Sequence, residues 1–185
     1  MHKIIILSSS VRTGRKSNRV AAFFLNYIKE SNIAEAEILD LDEYNFPIFE
    51  ERLKFLKEPA ANVLDYAKKI KEADGILVVS PEYNGGYPAS LKNAIDLLIE
   101  EWKHKPVAIS TVSAGPFGGN NMIPSLQFCF WKLGALTVPA LFPVAQVDKN
   151  YDENGIPADK ATTEKRAAAF LKELAWCMDA VQKMQ

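Results

Sequence analysis

The sequence predicts an α/β fold of three layers, in which one parallel sheet of five strands carries helices on both faces. Short runs of aliphatic residues alternate along the chain with segments whose apolar residues recur at helical spacing. The short runs are apolar without alternation, as strands covered on both faces are. A length of 185 residues, 48% of them hydrophobic, suits a single domain over residues 1–185.

Five apolar runs predict the strands, at residues 3–7, 35–41, 75–80, 106–112 and within 134–147. Pro139 and Pro143 interrupt the last run. Because proline cannot donate to a sheet ladder, we expect this strand at an edge of the sheet.

Five amphipathic segments predict the helices, at residues 17–31, 60–73, 88–101, 120–133 and 159–183. Ser17 is a candidate N-cap of the first helix. Val63, Leu64, Ala67 and Ile70 are expected to form the buried face of the second. Residues 42–59 are expected to be irregular.

The charge balance argues against nucleic acid as a partner, because a net charge of −1 offers no basic field for phosphates. The charges are unevenly placed, however. Residues 1–30 hold six Lys or Arg and one acid, whereas residues 35–51 hold seven acids and no base. The basic N-terminal part suits a small anionic ligand.

The two cysteines, Cys129 and Cys177, lie far apart and have no metal-ligand spacing. Both stand among apolar or aromatic neighbours, so we expect buried free thiols and a reducing cytoplasm. The apolar run at residues 4–7 is too short for a signal peptide, and no run is long enough for a membrane span. We therefore expect a cytoplasmic protein without a membrane partner.

The first strand leads into a long polar loop, residues 8–18, that opens a helix. Free backbone N–H groups and the positive end of the helix dipole point into such a loop. Ser8, Ser10 and Ser17 add hydroxyl donors and Arg12 adds a guanidinium, which together suit a phosphate monoester. A polar connection with an N-cap is the plain alternative, but ordinary connections have about two to six residues. The loop has neither a GK[ST] nor a GxGxxG motif.

Two further loops follow strands at the same expected edge of the sheet. Residues 81–88 contain two glycines, which allow close backbone approach to a flat ligand, and Tyr83 and Tyr87, which can flank a ring. Asn84 can meet the polar edge of a heterocycle. Residues 113–121 hold three more glycines.

The three loops meet on one edge, because parallel strands present their carboxyl ends on the same side and ligands bind there at the switch point in strand order. A phosphate site at one end and a flat, hydrogen-bonding ring site at the other describe FMN.

The chain resembles the NAD(P)H-dependent FMN reductases of flavodoxin-like fold, which include quinone, azo-dye and chromate reductases. The matching motifs are Ser-Val-Arg-Thr-Gly-Arg at residues 10–15, Pro-Glu-Tyr-Asn at 81–84 with its continuation at 88–96, and residues 113–119. The similarity in order and spacing covers roughly residues 3–140. Ser9 stands where many members have glycine, and the first loop is one residue longer than in many relatives.

The resemblance implies FMN as cofactor and NADPH or NADH as co-substrate. It assigns the phosphate to Ser8, Ser10, Arg12, Ser17 and Asn18, and the ring and ribityl chain to Pro81, Glu82, Tyr83 and Asn84. It assigns the other side of the ring to Ser113, Gly115, Gly118 and Gly119. It also implies the strand order 2-1-3-4-5, a homodimer or homotetramer, and reduction of free flavin, quinone, azo or similar small acceptors.

Because the flavin carries the chemistry, we expect no essential catalytic side chain and no metal. Glu82 is expected to be structural. Residues 150–155 look like the start of a calcium loop, but its twelfth position is Ala161 instead of a bidentate glutamate, so we expect a surface turn.

Two other functions stay open at this point. A flavodoxin-like electron carrier would lack a reaction with NAD(P)H, but such carriers are usually strongly acidic and have no arginine in the first loop. A non-enzymatic regulatory protein on the same scaffold is the other alternative, since fold alone does not decide function.

Overall fold

A computed structural model describes residues 1–184. Its sheet has five parallel strands: β1 (Lys3–Ser8), β2 (Glu35–Asp40), β3 (Gly75–Pro81), β4 (Pro106–Val112) and β5 (Leu136–Val144). The strand order is β2-β1-β3-β4-β5, which confirms the predicted topology. β5 lies at the edge, as its prolines predict, and its pairing with β4 shifts register between Val107 and Ile109.

Seven helices connect and cover the strands: α1 (Ser17–Glu30), α2 (Leu41–Tyr44), α3 (Ala61–Glu72), α4 (Ala89–Asp96), α5 (Ile123–Lys132), α6 (Val147–Asn150) and α7 (Lys160–Lys183). Short 3₁₀ turns add Leu53–Phe55, Glu100–Trp102 and Asn120–Met122. The predicted helix 88–101 is therefore too long, since its last part is a 3₁₀ turn. The segment 42–59 is less irregular than predicted.

Two apolar layers form the core, one on each face of the sheet. Ile5 and Leu7 face α3, α4 and α5, whereas Ile4 and Ile6 face α1 and α7. A right-handed crossover puts its helix on one face when the chain moves one way along the sheet and on the other face when it moves back. The step from β1 to β2 and the later steps toward β5 run in opposite directions, so β1 and β3 flank the switch point.

Two local predictions about helices were wrong. Leu64 is 49% exposed, and Tyr66 takes its place in the buried face of α3. The N-cap of α1 is Lys16 instead of Ser17, because the helix starts at Ser17 itself. The N-cap of α7 is Asp159, whose carboxylate accepts a hydrogen bond from Thr162 N at 3.0 Å.

Among residues 1–184, no helix combines the length and the apolar character needed to cross a bilayer.

The calcium-like segment forms a turn, in which the Asp152 carboxylate accepts hydrogen bonds from Asn154 N and Ile156 N at 2.9 and 2.7 Å. Gly155 in this turn is buried against α1 with φ +80°. A Cβ at Gly155 would lie 2.6 Å from both Arg19 O and Phe23 N. The glycine thus lets the turn pack against helix backbone, which cannot yield.

We expect Gly155→Ala to lower the free energy of unfolding by about 2–4 kcal/mol, since it adds a clash to a strained backbone conformation. Gly14→Ala is the matched control, because Gly14 also has positive φ (+72°) but nothing lies within 4 Å of its added Cβ. The control should lose only about 1 kcal/mol, from backbone strain alone. Urea unfolding of the two variants measures the difference, and equal losses would contradict the packing role of Gly155.

Candidate functional site

A cavity of about 400 Å³ opens at the carboxyl ends of the strands, between the loops that follow β1, β3 and β4. This is the edge that the sequence predicts for the site. Eight of the predicted site residues line it: Ser10, Arg12, Ser17, Pro81, Glu82, Tyr83, Ser113 and Gly115.

Five predicted residues do not line the cavity. Ser8 is buried at the end of β1, and Asn18 and Asn84 are exposed on α1 and on the turn after β3. Gly118 and Gly119 are buried behind the loop after β4, where an added Cβ would lie 3.1 Å from Pro143 Cβ and 3.3 Å from Thr111 Cβ, respectively.

Ser17 is the most informative residue of the cavity. It is 2% exposed, and its hydroxyl has no hydrogen-bond partner in the structure. It is also the first residue of α1, where backbone N–H groups lack intrahelical acceptors. A buried, unpartnered hydroxyl is costly, so a polar ligand at this helix terminus would satisfy it.

Arg15 is held by two aspartates, one at the end of β2 and one just after it. Its guanidinium lies 2.5 Å from Asp40 Oδ1 and 3.3 Å from Asp42 Oδ2, and it donates to Ser10 O at 2.6 Å. The charge of Arg15 is thereby neutralised, and its side chain fixes the shape of the loop.

The other cations in and next to the first loop differ in whether they pair with a carboxylate. Lys16 pairs with Asp148, and Arg19 donates to Tyr151 O at 3.0 Å and lies 3.8 Å from Asp148. Among the described residues, Arg12 makes no ion pair with a carboxylate and is exposed at the cavity. It is the cation of this loop that a ligand anion would meet.

The loop after β3 turns sharply at Asn84 and Gly85, which have φ of 52° and 81°. Tyr83 N donates to Gly86 O at 2.8 Å, and Gly86 N donates back to Tyr83 O at 3.1 Å. Positive φ at both central residues defines a tight hairpin of type I′, for which Asn-Gly is a preferred pair. The turn presents Tyr83 to the cavity, where its hydroxyl shares a 2.7 Å hydrogen bond with Ser10 Oγ.

Tyr87 does not line the cavity, although the sequence analysis expected it to flank a ring there. It is partly buried and packs against the core, beside Cys129. Burial raises the pKa of the Tyr87 hydroxyl and is also the main cause of the raised pKa of the Cys129 thiol. Both groups are therefore protonated at neutral pH, and Cys129 is not an activated thiol.

Glu82 joins two of the loops. Its two carboxylate oxygens accept hydrogen bonds from Asn121 N and Asn121 Nδ2, each at 2.9 Å. This contact agrees with the expected structural role of Glu82, since both oxygens are engaged. The sequence analysis missed the contact of Asn121 with Glu82, because nothing in the spacing of residues 113–121 shows which side chain turns toward Glu82.

The loop after β4 is organised by its own serine and glycines. Ser113 Oγ donates to Gly115 O at 2.8 Å and accepts from Gly118 N at 3.0 Å. Thr111 Oγ1 donates to Gly118 O at 2.6 Å. Gly118 therefore shapes this wall of the cavity from behind.

A fourth segment, α6, also lines the cavity through Val147 and Asp148. The sequence analysis missed both, because they stand at the end of the segment 134–147 that it gave to the last strand and just after it, where it found no motif. The contact of Asp148 with Lys16 arises from tertiary packing, which the sequence alone does not show.

The comparisons with known proteins agree with this geometry. A family model described as NADPH-dependent FMN reductase matches residues 2–149. The chain is 33% identical over 138 residues to an NAD(P)H-dependent FMN reductase of Saccharomyces cerevisiae, covering 68% of this chain and 71% of that protein. It is 35% identical over 153 residues to one of Schizosaccharomyces pombe, covering 75% and 72%.

Its fold is similar to that of the solved structure of FerB, a flavoenzyme NAD(P)H:(acceptor) oxidoreductase of Paracoccus denitrificans. The TM-score is 0.79 at 20% identity, over 97% of this chain and 98% of that chain.

The position of Ser17 leads to a prediction for the protein without ligand. Ser17→Ala should leave the free energy of unfolding unchanged or raise it slightly, because it removes a buried hydroxyl that has no partner. Asp159→Ala, at the true N-cap of α7, should lower it by about 0.5–2 kcal/mol. Chemical denaturation of the ligand-free variants measures both. A clear loss of stability in Ser17→Ala would mean that the hydroxyl is satisfied within the protein.

Proposed function

The chain belongs to the NADPH-dependent FMN reductase family and is a flavin-dependent oxidoreductase; we propose that the cavity between the loops after β1, β3 and β4 holds its FMN. The observation that carries this assignment is the buried, unpartnered hydroxyl of Ser17 beside the unpaired guanidinium of Arg12. A helix N-terminus, a hydroxyl donor and a free arginine together fit a phosphate monoester. The volume of about 400 Å³ lies within the usual range of cofactor sites.

The proposed phosphate end consists of Ser10, Arg12, Ser17 and the start of α1. Arg12 N donates to Ser10 Oγ at 3.3 Å, so the loop bends back on itself around this serine. Ser8, at the end of β1, and Asn18, on α1, do not line the cavity and stay proposed contacts of the phosphate.

The proposed ring end lies between the loops after β3 and β4. Pro81, Tyr83 and Gly115 line it, and the Glu82–Asn121 contact fixes the distance between the two loops. Asn84, at the exposed tip of the hairpin, stays a proposed contact of the FMN ring and ribityl chain. Gly118 and Gly119 lie behind the wall that the loop after β4 forms, where they allow close packing against Pro143 and Thr111.

FMN held in this cavity would supply two-electron transfer between NADPH or NADH and an acceptor. The protein's own residues would bind the cofactor, orient it and shield it from water. The Tyr83–Ser10 hydrogen bond joins the loop after β3 to the loop after β1, and the Glu82–Asn121 hydrogen bonds join it to the loop after β4. No side chain of the cavity is required to act as an acid or base, and free flavin, quinones and azo compounds are the proposed acceptors.

We also propose a homodimer or homotetramer. Phe128 and Trp131 on α5 are 62% and 66% exposed, and their rings stack with centroids 5.7 Å apart. An exposed aromatic pair of this kind favours a protein contact. Phe130, between them in sequence, is buried in the core instead.

A cytoplasmic location is proposed on the chemistry of the thiols. Cys129 and Cys177 are both free, and burial raises the pKa of each. Two unpaired thiols in a chain of this size are typical of a reducing compartment.

The first experiment is to purify the protein, record its visible spectrum without oxygen and add NADPH or NADH. We expect flavin bands that bleach within seconds and return when a quinone or oxygen is added. Flavin that stays oxidised until dithionite is added would favour an electron carrier. If the purified protein neither carries nor binds FMN on titration, the cofactor assignment fails.

Arg12→Ala tests the phosphate site. It should weaken FMN binding by about 10- to 100-fold, since a hydrogen bond to a charged group contributes about 1.5–3 kcal/mol. The difference from the unaltered protein should shrink as salt rises, because the contact is exposed to solvent.

Arg52→Ala is the matched control, because Arg52 is also an exposed arginine but does not line the cavity. Fluorescence titration of FMN measures both dissociation constants. Equal affinities in the two variants would remove Arg12 from the phosphate site.

A further inference from the structure

Asp148 places a negative charge in the wall of a cavity that is proposed to hold an anion. It lines the cofactor cavity from α6, and Lys16 and Ser17 line the same cavity from the start of α1. A carboxylate here raises the energy of a bound phosphate, because like charges repel. None of the three motif-bearing loops contains Asp148, so the motifs give no reason for an acid at this position.

The carboxylate of Asp148 pairs with Lys16, and the two side chains are 41% and 42% exposed. Among residues 1–184, Lys16 makes no ion pair besides this one. Arg19 also lies near the carboxylate, at 3.8 Å from Asp148 Oδ1. However, Arg19 has other partners, since it donates to Tyr151 O at 3.0 Å and lies 3.9 Å from Glu153. Removal of the charge of Asp148 would therefore leave Lys16 without a partner.

Backbone hydrogen bonds hold α6 against the loop after β4. Gln146 N donates to Gly115 O at 3.0 Å, and Val147 N donates to Ser113 O at 3.1 Å. The side chain of Val147 is buried, so the segment cannot move away without exposing it. The charge of Asp148 is thus fixed at the cavity and does not depend on its partner for its place.

The other acids around the cavity are engaged elsewhere. Glu82 and Asp148 are the two acids that line it, and both carboxylate oxygens of Glu82 accept hydrogen bonds from Asn121. Asp42 pairs with Arg15 on the other side of the loop after β1, where a second, mainly apolar cavity of about 360 Å³ lies. Asp148 is therefore the acid that determines the net charge next to the start of α1.

We propose that Asp148 is a specificity-determining residue of the cofactor site: it cancels the charge of Lys16 and thereby sets how strongly the site prefers FMN over riboflavin. This inference rests on the proposed function. With the pair neutral, Arg12 and the N-terminus of α1 are left to bind the phosphate. FMN and riboflavin share the ring and the ribityl chain, so the ratio of their dissociation constants reports on the phosphate end alone.

The first test removes the charge of Asp148. Asp148→Asn should lower the Kd for FMN by about three- to tenfold, because one negative charge is lost within about a Debye length of the phosphate. The Kd for riboflavin should stay within about twofold, and the gain for FMN should shrink as salt rises. Fluorescence titration of the flavin-free protein measures both constants. A Kd for FMN that is unchanged or higher would overturn the proposal.

Glu164→Gln is the matched control, because it also removes one acid that pairs with a lysine and changes the net charge equally. Glu164 lies 3.5 Å from Lys160, which in turn lies 3.9 Å from Glu30 at the other end of α1 from the cavity. The control should leave both dissociation constants unchanged. A gain for FMN equal to that of Asp148→Asn would mean that net charge alone is responsible and would contradict a local role.

The second test separates a charge effect from a structural one. Lys16→Met leaves Asp148 unpaired and should raise the Kd for FMN by about three- to tenfold. The double variant Lys16→Met/Asp148→Asn lacks both charges and should return this Kd to within about twofold of the unaltered protein. If the contact served only to hold the loop in shape, both single variants would bind FMN more weakly, and that result would overturn the proposal.

The third test does not depend on the flavin. Inorganic phosphate is titrated into the flavin-free protein while the amide resonance of Ser17 is followed by NMR. We expect saturable shifts, with a Kd for phosphate that is about two- to fivefold lower in Asp148→Asn and higher by the same factor in Lys16→Met. Equal constants in the three proteins, or no saturable shift, would count against the role of Asp148.

The outcomes separate the two proposals. If FMN does not bind, or NADPH does not reduce the bound flavin, the proposed function fails, and the phosphate titration still decides the role of Asp148. If NADPH reduces the flavin normally but Asp148→Asn and Lys16→Met do not shift the Kd for FMN in opposite directions, the inference about Asp148 is overturned alone.

Discussion

The pairing of β1 with β3 is the constraint on which the rest of the site depends. The ladder runs from Ile4 opposite Gly75 to Ser8 opposite Val79, and Ser9 N extends it by donating to Val79 O at 3.1 Å. β3 continues two residues further, to Pro81, and just beyond it Tyr83 meets Ser10 by a 2.7 Å hydrogen bond. Because the crossovers from these two strands go to opposite faces, a crevice opens between their loops. A one-residue slip of this register would exchange the core faces of the central strands and separate the two loops.

The uneven charge of the sequence is resolved by pairing in the fold. The basic N-terminal part and the acidic segment meet because β1 and β2 are neighbours, and Arg15 bridges to Asp40 and Asp42. On the other side, Asp148 engages Lys16. These contacts neutralise most of the positive charge of the first loop and restrain its side chains. Arg12 is left to face the cavity. Among residues 1–184, Arg12 is therefore the cation of this cavity without a carboxylate partner, because acids from two distant parts of the chain pair with Arg15 and Lys16.

Much of the fold could be predicted because the responsible signals are local. Apolar runs and helical periodicity located the strands within a residue or two, and the prolines of β5 placed it at the edge. The loops that form the site also followed, since the carboxyl ends of parallel strands share one edge. Individual contacts could not be predicted in the same way. Asn121 reaches Glu82, and Asp148 reaches Lys16, only through tertiary packing that no spacing encodes.

The errors of prediction at single residues have physical reasons. Ser17 has the composition of an N-cap, but the helix begins at that residue, so its hydroxyl faces inward without a partner. Gly118 is not among these errors: it stays a proposed site residue, and its missing Cβ also makes room for Pro143.

The two cavities at this edge differ in chemistry for one reason, the alternation of side chains in the segment that leaves β1. Ser10 and Arg12 point to one side, toward the start of α1, where an unpartnered hydroxyl and free N–H groups favour an anion. Val11 points to the other side, toward α2 and α4, where the amide of Asn93 is already hydrogen-bonded within the protein. A polar ligand on that side would lose hydrogen bonds to water without gaining equivalent partners in the protein. An apolar ring has no such hydrogen bonds to lose. The same segment of backbone thus separates a polar cavity that contains an unpaired arginine from a mainly apolar one.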